Sequence, residues 1–166
     1  MRYDGLIYRA LNPVYARDPL SGAGAAKYGG RFNRIGTPAL YCSLEPDTAI
    51  REANQVGTLQ PTTLIAIHAA ARSLFDGRDE AALATYSSSA VLLADPGWRE
   101  RMLRGEAVPT HDLGVRLIDD GFAGIIVPSY AKGAPPAALN LVLWRWNEDP
   151  NCTLRLIDDE DRLGRL

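Results

Sequence analysis

Short segments rich in hydrophobic residues dominate the pattern of this sequence. Residues 5–11 alternate between hydrophobic and polar positions, and a period of two is typical of strands that bury one face. Five further segments have a β-like composition: residues 39–43, 62–70, 123–130, 140–147 and 153–158. These short segments, separated by Gly- and Pro-containing connections, predict a sheet as the main element of the protein.

Helical periodicity occurs between these strands without a strict strand–helix alternation. Residues 44–57 predict one helix, which Gly57 is expected to end, and residues 78–104 predict helix in pieces. Thr110 is expected to cap a further helix that ends at Gly121. Because strands and helices mix irregularly, the sequence predicts an α+β fold with a mixed, mainly antiparallel sheet rather than a doubly wound one.

Length and composition predict one globular domain over residues 1–166. The chain is 46% hydrophobic with a formal net charge of −2, so no basic excess points to direct nucleic-acid binding or an anionic membrane. No apolar stretch has the length of a membrane span or the form of a secretory signal. Cys42 and Cys152 form no CxxC pair and suit a reducing cytoplasm as core residues. We therefore expect a cytoplasmic protein.

The glycine and histidine residues do not complete the motifs of a dinucleotide-binding site, a P-loop or a metal site. The segment "SGAGAAK" (21–27) has Lys27 at the third position of a GxGxxG/A pattern, and no GxxxxGK[ST] motif occurs. His68 and His111 belong to no metal-ligand spacing, so no metal site is expected. Residues 15–38 carry no sustained period and predict no regular element, although segments of this length are often functional.

Within that segment, "KYGGRFNRIG" raises two interpretations. The paired glycines and arginines form either an ordinary turn with solvated charges or a loop whose backbone approaches a ligand closely. Arg31 is the candidate binding residue, because its planar fork suits phosphate oxygens. The loop alone leaves both interpretations open.

The helix predicted over residues 44–57 places a carboxylate beside an apolar face. At about 100° per residue, four residues share that face: Ala49, Ile50, Ala53 and Val56. Glu52 lies at the margin of the face, and Arg51 points toward solvent. Glu52 is therefore either a cleft carboxylate or a solvated helix residue.

Two further polar residues lie on or after predicted strands. Tyr41 must face the opposite side of its strand from Leu40 and Cys42, where it either packs or meets a planar ligand. Ser129 follows the strand "GIIVP" and is either a site hydroxyl or a turn-forming serine. No histidine or paired carboxylate accompanies these residues, so any chemistry here depends on charge stabilisation more than on proton transfer.

Taken together, "YGGRFNRIGTPALYCSLEPDTAIREA" (28–53) resembles the signature region of the RES-domain family. Members are toxins of bacterial RES–Xre type II toxin–antitoxin modules. Arg31, Glu52 and Ser129 match the arginine, glutamate and serine of the family, and Tyr41 matches its tyrosine. The resemblance extends to "IYRALNP" near the start and "NLVLWRWN" near the end, with Phe32 where tryptophan is common.

This resemblance implies a compact fold similar to ADP-ribosyltransferases of the diphtheria-toxin type, with NAD+ as the substrate. It implies catalytic roles for Glu52, Arg31 and Tyr41. The residues that it places against NAD+ are Gly30, Arg31, Phe32, Asn33, Tyr41 and Ser129.

The resemblance also implies partners and leaves the acceptor open. An Xre-family antitoxin is the expected partner, and ADP-ribose is expected to pass to a cellular protein, to water or to phosphate. Two alternatives are a toxin directed at nucleic acid, such as a ribonuclease, and a non-catalytic module that only binds its antitoxin. The acidic charge balance and the lack of paired histidines count against the ribonuclease.

Overall fold

The computed structural model describes residues 1–55 and 58–165, and its main element is a curled sheet of seven strands. The strands are β1 (Tyr3–Leu11), β2 (Leu40–Ser43), β3 (Thr63–Ala71), β4 (Leu74–Asp76), β5 (Gly124–Pro128), β6 (Leu139–Leu143) and β7 (Cys152–Leu156). Their order across the sheet is β4-β5-β6-β2-β1-β3-β7. Every described pair is antiparallel except β4 and β5. The predicted α+β fold with a mixed, mainly antiparallel sheet is confirmed.

Short helices connect these strands. They are α1 (Ala23–Tyr28), α2 (Pro46–Ala53), α3 (Glu80–Thr85), α4 (Ala90–Ala94), α5 (Trp98–Leu103) and α6 (Pro109–Asp119), with 3-10 turns at Pro13–Tyr15 and Leu163–Arg165. No helix in the described part of the chain is long and apolar enough to cross a membrane.

Each face of the sheet belongs to its own apolar cluster, because successive strand residues point to opposite sides. On β2, Leu40 and Cys42 pack with Ile67 in the first cluster. Tyr41 packs on the other side with Phe32 in the second cluster, which also receives residues of α3, α4 and α6. The predicted opposite orientation of Tyr41 is therefore confirmed.

Two short elements escaped the sequence analysis. Helix α1 lies inside the segment 15–38, for which no regular element was predicted, and β4 was not predicted at all. The six residues of α1, "AGAAKY", are mostly small and carry no apolar period, while β4 has only three residues. Elements this short show too few repeats for a periodicity to be visible.

Helix α2 is shorter and less buried than predicted. It ends at Ala53, whereas the predicted stop Gly57 and the face residue Val56 lie outside the described residues. Of the predicted apolar face, Ala49 is buried but Ile50 and Ala53 are exposed. The helix instead packs against the sheet through Thr48 and Ala49, which leaves Glu52 half-buried at the edge of the packed surface.

Helix α6 starts one residue earlier than the predicted cap. Pro109 occupies its first turn, where a missing N–H costs nothing. Thr110 therefore lies inside the helix, and its hydroxyl donates to the Arg31 carbonyl oxygen instead of capping α6. The predicted end is confirmed, because Gly121 follows the last turn with a φ of 86°, which favours glycine.

Candidate active site

A cavity of about 580 Å³ opens beside β1, β2 and β6. Its other sides are formed by residues 29–36 (the glycine loop), by α2 and by the start of α5. This volume is within the range of small-molecule sites. The sequence-predicted residues that line it are Gly30, Arg31, Phe32, Tyr41 and Glu52. The other two, Asn33 and Ser129, are not among its lining residues and contact lining side chains from behind.

The carboxylate of Glu52 is held by one group on a strand of the sheet and one directly after a strand. The Ser129 hydroxyl, just after β5, donates to Oε1 at 2.5 Å, and Asn140 Nδ2 on β6 donates to the same oxygen at 2.5 Å. The Gln55 side-chain amide contacts the second oxygen, Oε2. Because charge-assisted hydrogen bonds are the stronger class, these contacts fix the direction in which the carboxylate faces the cavity.

Arg31 projects from the glycine loop and bridges to the last turn of α4 and the residue that follows it. Its Nη1 donates to the carbonyl oxygens of Leu93 at 3.0 Å and Asp95 at 2.8 Å. The guanidinium lies 4.6 Å from the centre of the Tyr130 ring and 5.8 Å from that of Trp98. The guanidinium is therefore oriented by protein groups before any ligand binds.

The close approach expected at the paired glycines is made by the protein itself. A Cβ on Gly30 would lie 2.3 Å from Tyr41 Oη and 2.7 Å from Asn33 Oδ1. Tyr41 Oη donates to Asn33 Oδ1 at 2.7 Å and accepts the Phe32 amide N–H at 3.0 Å. The glycine thus makes room for a tyrosine hydroxyl at the centre of the loop.

Side chains from outside the loop bind its backbone carbonyls in succession. The Gly30 carbonyl oxygen lies 2.7 Å from His111 Nε2. The Arg31 carbonyl oxygen accepts from Thr110 Oγ1 at 2.5 Å, and that of Phe32 accepts from Trp144 Nε1 at 3.0 Å. A Cβ on Gly114 of α6 would lie 2.6 Å from the Phe32 oxygen. The loop is therefore a fixed wall of the cavity and not a solvated turn.

Arg9 and Asn140 are among the polar lining residues of the cavity that sequence reasoning missed. Arg9 Nη1 donates to the carbonyl oxygens of Pro19 at 2.6 Å and Ser21 at 3.2 Å. A signal for Arg9 existed, since a cation at a core-facing position of an alternating strand is unusual. Asn140 gave no comparable signal, because its partners come from distant parts of the chain.

Among the described residues that line the cavity, positively charged side chains outnumber negatively charged ones. Glu52 is the one carboxylate among the described lining residues, and Arg9, Arg31 and Arg99 are the cations. Burial lowers the pKa of Arg31, and the nearby Tyr130 and Glu52 oppose this shift. The described residues contain no group of three or more His, Cys, Asp or Glu side chains arranged to hold a metal ion.

The contact between His111 and the Gly30 carbonyl oxygen predicts that the stability of the protein depends on pH. Burial is the main cause that lowers the pKa of His111 below 6.5, so the unfolded state takes up a proton more readily than the folded state. The contribution of neutral His111 to stability is therefore fully present above about pH 6.5. It is lost as the pH falls from about 6.5 toward the lower pKa of the folded state. His111→Gln keeps an N–H donor for Gly30 without a titrating group.

We expect the Tm of the wild-type protein to fall more steeply than that of His111→Gln between about pH 7.5 and about pH 5.5. Thermal unfolding followed by circular dichroism at several pH values measures both slopes. Parallel curves of Tm against pH for the two proteins would contradict the claim that neutral His111 stabilises the folded state.

Comparison with known proteins identifies a family and a fold. A family model described as RES domain matches residues 6–163. A chain in the crystal structure of the M. tuberculosis MbcT–MbcA toxin–antitoxin complex has a similar fold, with a TM-score of 0.61 and 19% sequence identity over 95% of this chain and 84% of that chain. At this identity the likeness concerns the fold alone. No curated protein matches the sequence.

Proposed function

The chain belongs to the RES domain family, and we propose that it is an enzyme that cleaves the nicotinamide–ribose bond of NAD+ and transfers ADP-ribose to an acceptor. The observation that carries this proposal is the composition of the cavity. A single carboxylate, Glu52, shares it with several guanidinium groups, and neither a histidine nor a second carboxylate is among the described residues that line it.

A single carboxylate suits this reaction because the leaving group needs no proton. When the bond between the ribose C1 carbon and the nicotinamide nitrogen breaks, its electron pair passes to the nitrogen and neutralises the pyridinium charge. Positive charge then develops on the ribose, as in the oxocarbenium-like transition state of glycoside hydrolysis. A lone pair of the acceptor forms the new bond to C1, and a neutral acceptor such as water or a hydroxyl releases its proton to solvent, whereas an ionised phosphate oxygen has none to lose. Ordinary glycosidases differ, since their alkoxide leaving group requires a general acid.

Glu52 would stabilise the developing positive charge on the ribose. A unit-charge interaction across ~4 Å at an effective dielectric near 20 is worth about 4 kcal/mol. Preoriented groups contribute more than mobile ones because they need not reorganise during the reaction. The hydrogen bonds from Ser129 and Asn140 provide this orientation in the free protein.

The cations and aromatic rings of the cavity would bind the remainder of the dinucleotide. Arg31 would bind the diphosphate or the adjacent ribose, with Arg9 as a further cation on the same cavity. Tyr41 would present its ring to nicotinamide while its hydroxyl stays bonded within the loop. Phe32 forms part of the wall, and Asn33 supports the loop from its buried position.

We further propose that the protein acts as the toxin of a toxin–antitoxin pair in the cytoplasm, with an Xre-family antitoxin as its partner. Membership of the RES domain family and the fold shared with a chain of the MbcT–MbcA toxin–antitoxin complex support this role. The acceptor of ADP-ribose would be a cellular protein, water or phosphate, and growth would stop through protein modification or loss of NAD+.

The test of the proposed reaction is incubation of the purified protein with NAD+, in buffer alone, with phosphate and with bacterial extract. Mass spectrometry should detect free nicotinamide together with ADP-ribose, its phosphate or a modified protein. NADH is the matched control substrate: its dihydropyridine carries no positive charge to be neutralised, so we expect no cleavage. Absence of nicotinamide under every condition would overturn the proposal, and equal cleavage of NADH would contradict the leaving-group argument.

A further inference from the structure

Ser43 and Asn140 form a hydrogen-bonded chain that leads to Glu52. The two residues are directly opposite each other in the register of β2 and β6, so their side chains lie on the same face of the sheet. Ser43 Oγ and Asn140 Oδ1 are 2.7 Å apart, and Asn140 Nδ2 is 2.5 Å from Glu52 Oε1. Ser43 is only 2% exposed, so the hydrogen bond between Ser43 and Asn140 is shielded from water on the Ser43 side.

The chemistry of the three groups determines the direction of these hydrogen bonds. An ionised carboxylate only accepts, so the amide group of Asn140 that faces Glu52 must be its NH2. The amide oxygen of Asn140 then faces Ser43, whose hydroxyl must donate to it. Ser43 thereby stabilises the one amide orientation that places a donor on Glu52.

The two oxygens of Glu52 consequently differ. Oε1 accepts from both Asn140 and Ser129, whereas among the described residues Oε2 has a hydrogen bond only from Gln55, an exposed side chain that also lines the cavity. Oε2 is therefore the oxygen that can exchange a solvent-exposed protein contact for a ribose hydroxyl.

We propose that Asn140 is a positioning residue that orients Glu52 for NAD+ cleavage, and that Ser43 acts through Asn140. This inference rests on the proposed function and deepens it. A misplacement of a reacting group by about 1 Å can lower a rate by about 100-fold. Loss of the Asn140 amide should thus lower kcat while the KM for NAD+ stays close to that of the wild-type protein.

The sharpest variant is Asn140→Asp, which keeps the shape of the side chain but replaces the donor with a carboxyl group. Two carboxylates at this distance cannot both be ionised without strong repulsion. A protonated Asp at position 140 would donate to Glu52 as the amide does. We expect activity reduced by about 100-fold near pH 8 that recovers as the pH is lowered to about 5.

Matched variants separate positioning from a general effect on folding or charge. Asn54→Asp adds a carboxylate near the end of α2, where the Asn54 side chain donates to the Ile50 carbonyl oxygen, and should keep the pH profile of the wild-type protein. Ser43→Ala should lower kcat by about 10-fold and should have no further effect in an Asn140→Ala background, as expected for residues of one network.

The deciding measurement is the steady-state rate of nicotinamide release as a function of pH. Circular dichroism checks that each variant is folded. Recovery of Asn140→Asp at low pH, together with non-additive Ser43 and Asn140 effects on kcat, would support the inference. A wild-type enzyme that releases nicotinamide, with Asn140 variants of unchanged kcat and pH profile, would overturn the positioning role alone. A wild-type protein that releases no nicotinamide would overturn the proposed function and this inference together.

Discussion

Replacing Glu52 with Gln is expected to lower kcat for nicotinamide release by about 100- to 1,000-fold. The amide has nearly the same shape, and its oxygen can still accept the hydrogen bonds that Ser129 and Asn140 donate. The variant therefore removes the negative charge with little disturbance of the site. Since the charge acts mainly in the transition state, KM for NAD+ should change much less than kcat.

Asp47→Asn is the matched control for this substitution. Asp47 lies in the first turn of the same helix, is exposed and is not among the residues that line the cavity. Its variant loses the same charge and should retain kcat within a factor of about two, because its distance from the ribose site leaves its charge screened by solvent. A folded Glu52→Gln protein with wild-type kcat would contradict the role of the carboxylate.

Growth measurements with the same pair of variants test the non-catalytic alternative. We expect expression of the wild-type chain and of Asp47→Asn to arrest bacterial growth, and expression of Glu52→Gln to permit it. Full toxicity of a folded Glu52→Gln protein would favour a module that acts by binding alone.

The second large effect expected is a loss of stability when Asn33 is replaced by Ala. Asn33 is 2% exposed, and its amide donates to the carbonyl oxygens of Ala25 at 2.9 Å and Thr37 at 2.8 Å while accepting from Tyr41. The substitution removes all of these hydrogen bonds from the interior of the loop and leaves the partly buried Thr37 carbonyl without the Asn33 donor. We expect a loss of about 3 kcal/mol in the free energy of unfolding, or about 6 to 12 °C in Tm.

Two further variants test the cause of this effect. Asn33→Asp should be at least as destabilising as the alanine, because its carboxylate faces the same carbonyl oxygens without a donor. Asn54→Ala removes a partly exposed asparagine whose side chain donates to the Ile50 carbonyl oxygen, and should cost less than about 1 kcal/mol. Denaturant unfolding measures all three. An Asn33→Asp protein more stable than Asn33→Ala would show that the donated hydrogen bonds do not hold the loop.

Local patterns in the sequence were sufficient for much of the fold. Alternation predicted a strand at the position of β1, and short β-like segments predicted strands at β2 and β3. The two-residue period of a strand placed Tyr41 opposite Leu40 and Cys42. Such predictions succeed because side-chain direction on a strand follows from neighbouring residues alone. The short elements α1 and β4 offered too few residues for the same argument.

For the candidate site, the sequence by itself determined which residue types are present, and the motif "YGGRFNRIG" with Glu52 and Ser129 identified the RES domain family. Only the tertiary structure decided how these residues are used. The loop carbonyls meet α6, and Asn140 reaches Glu52 across 88 positions of sequence. Such partners are set by strand register and helix packing, which depend on the whole core. A local pattern can therefore predict that a polar residue is present but not which distant group it binds.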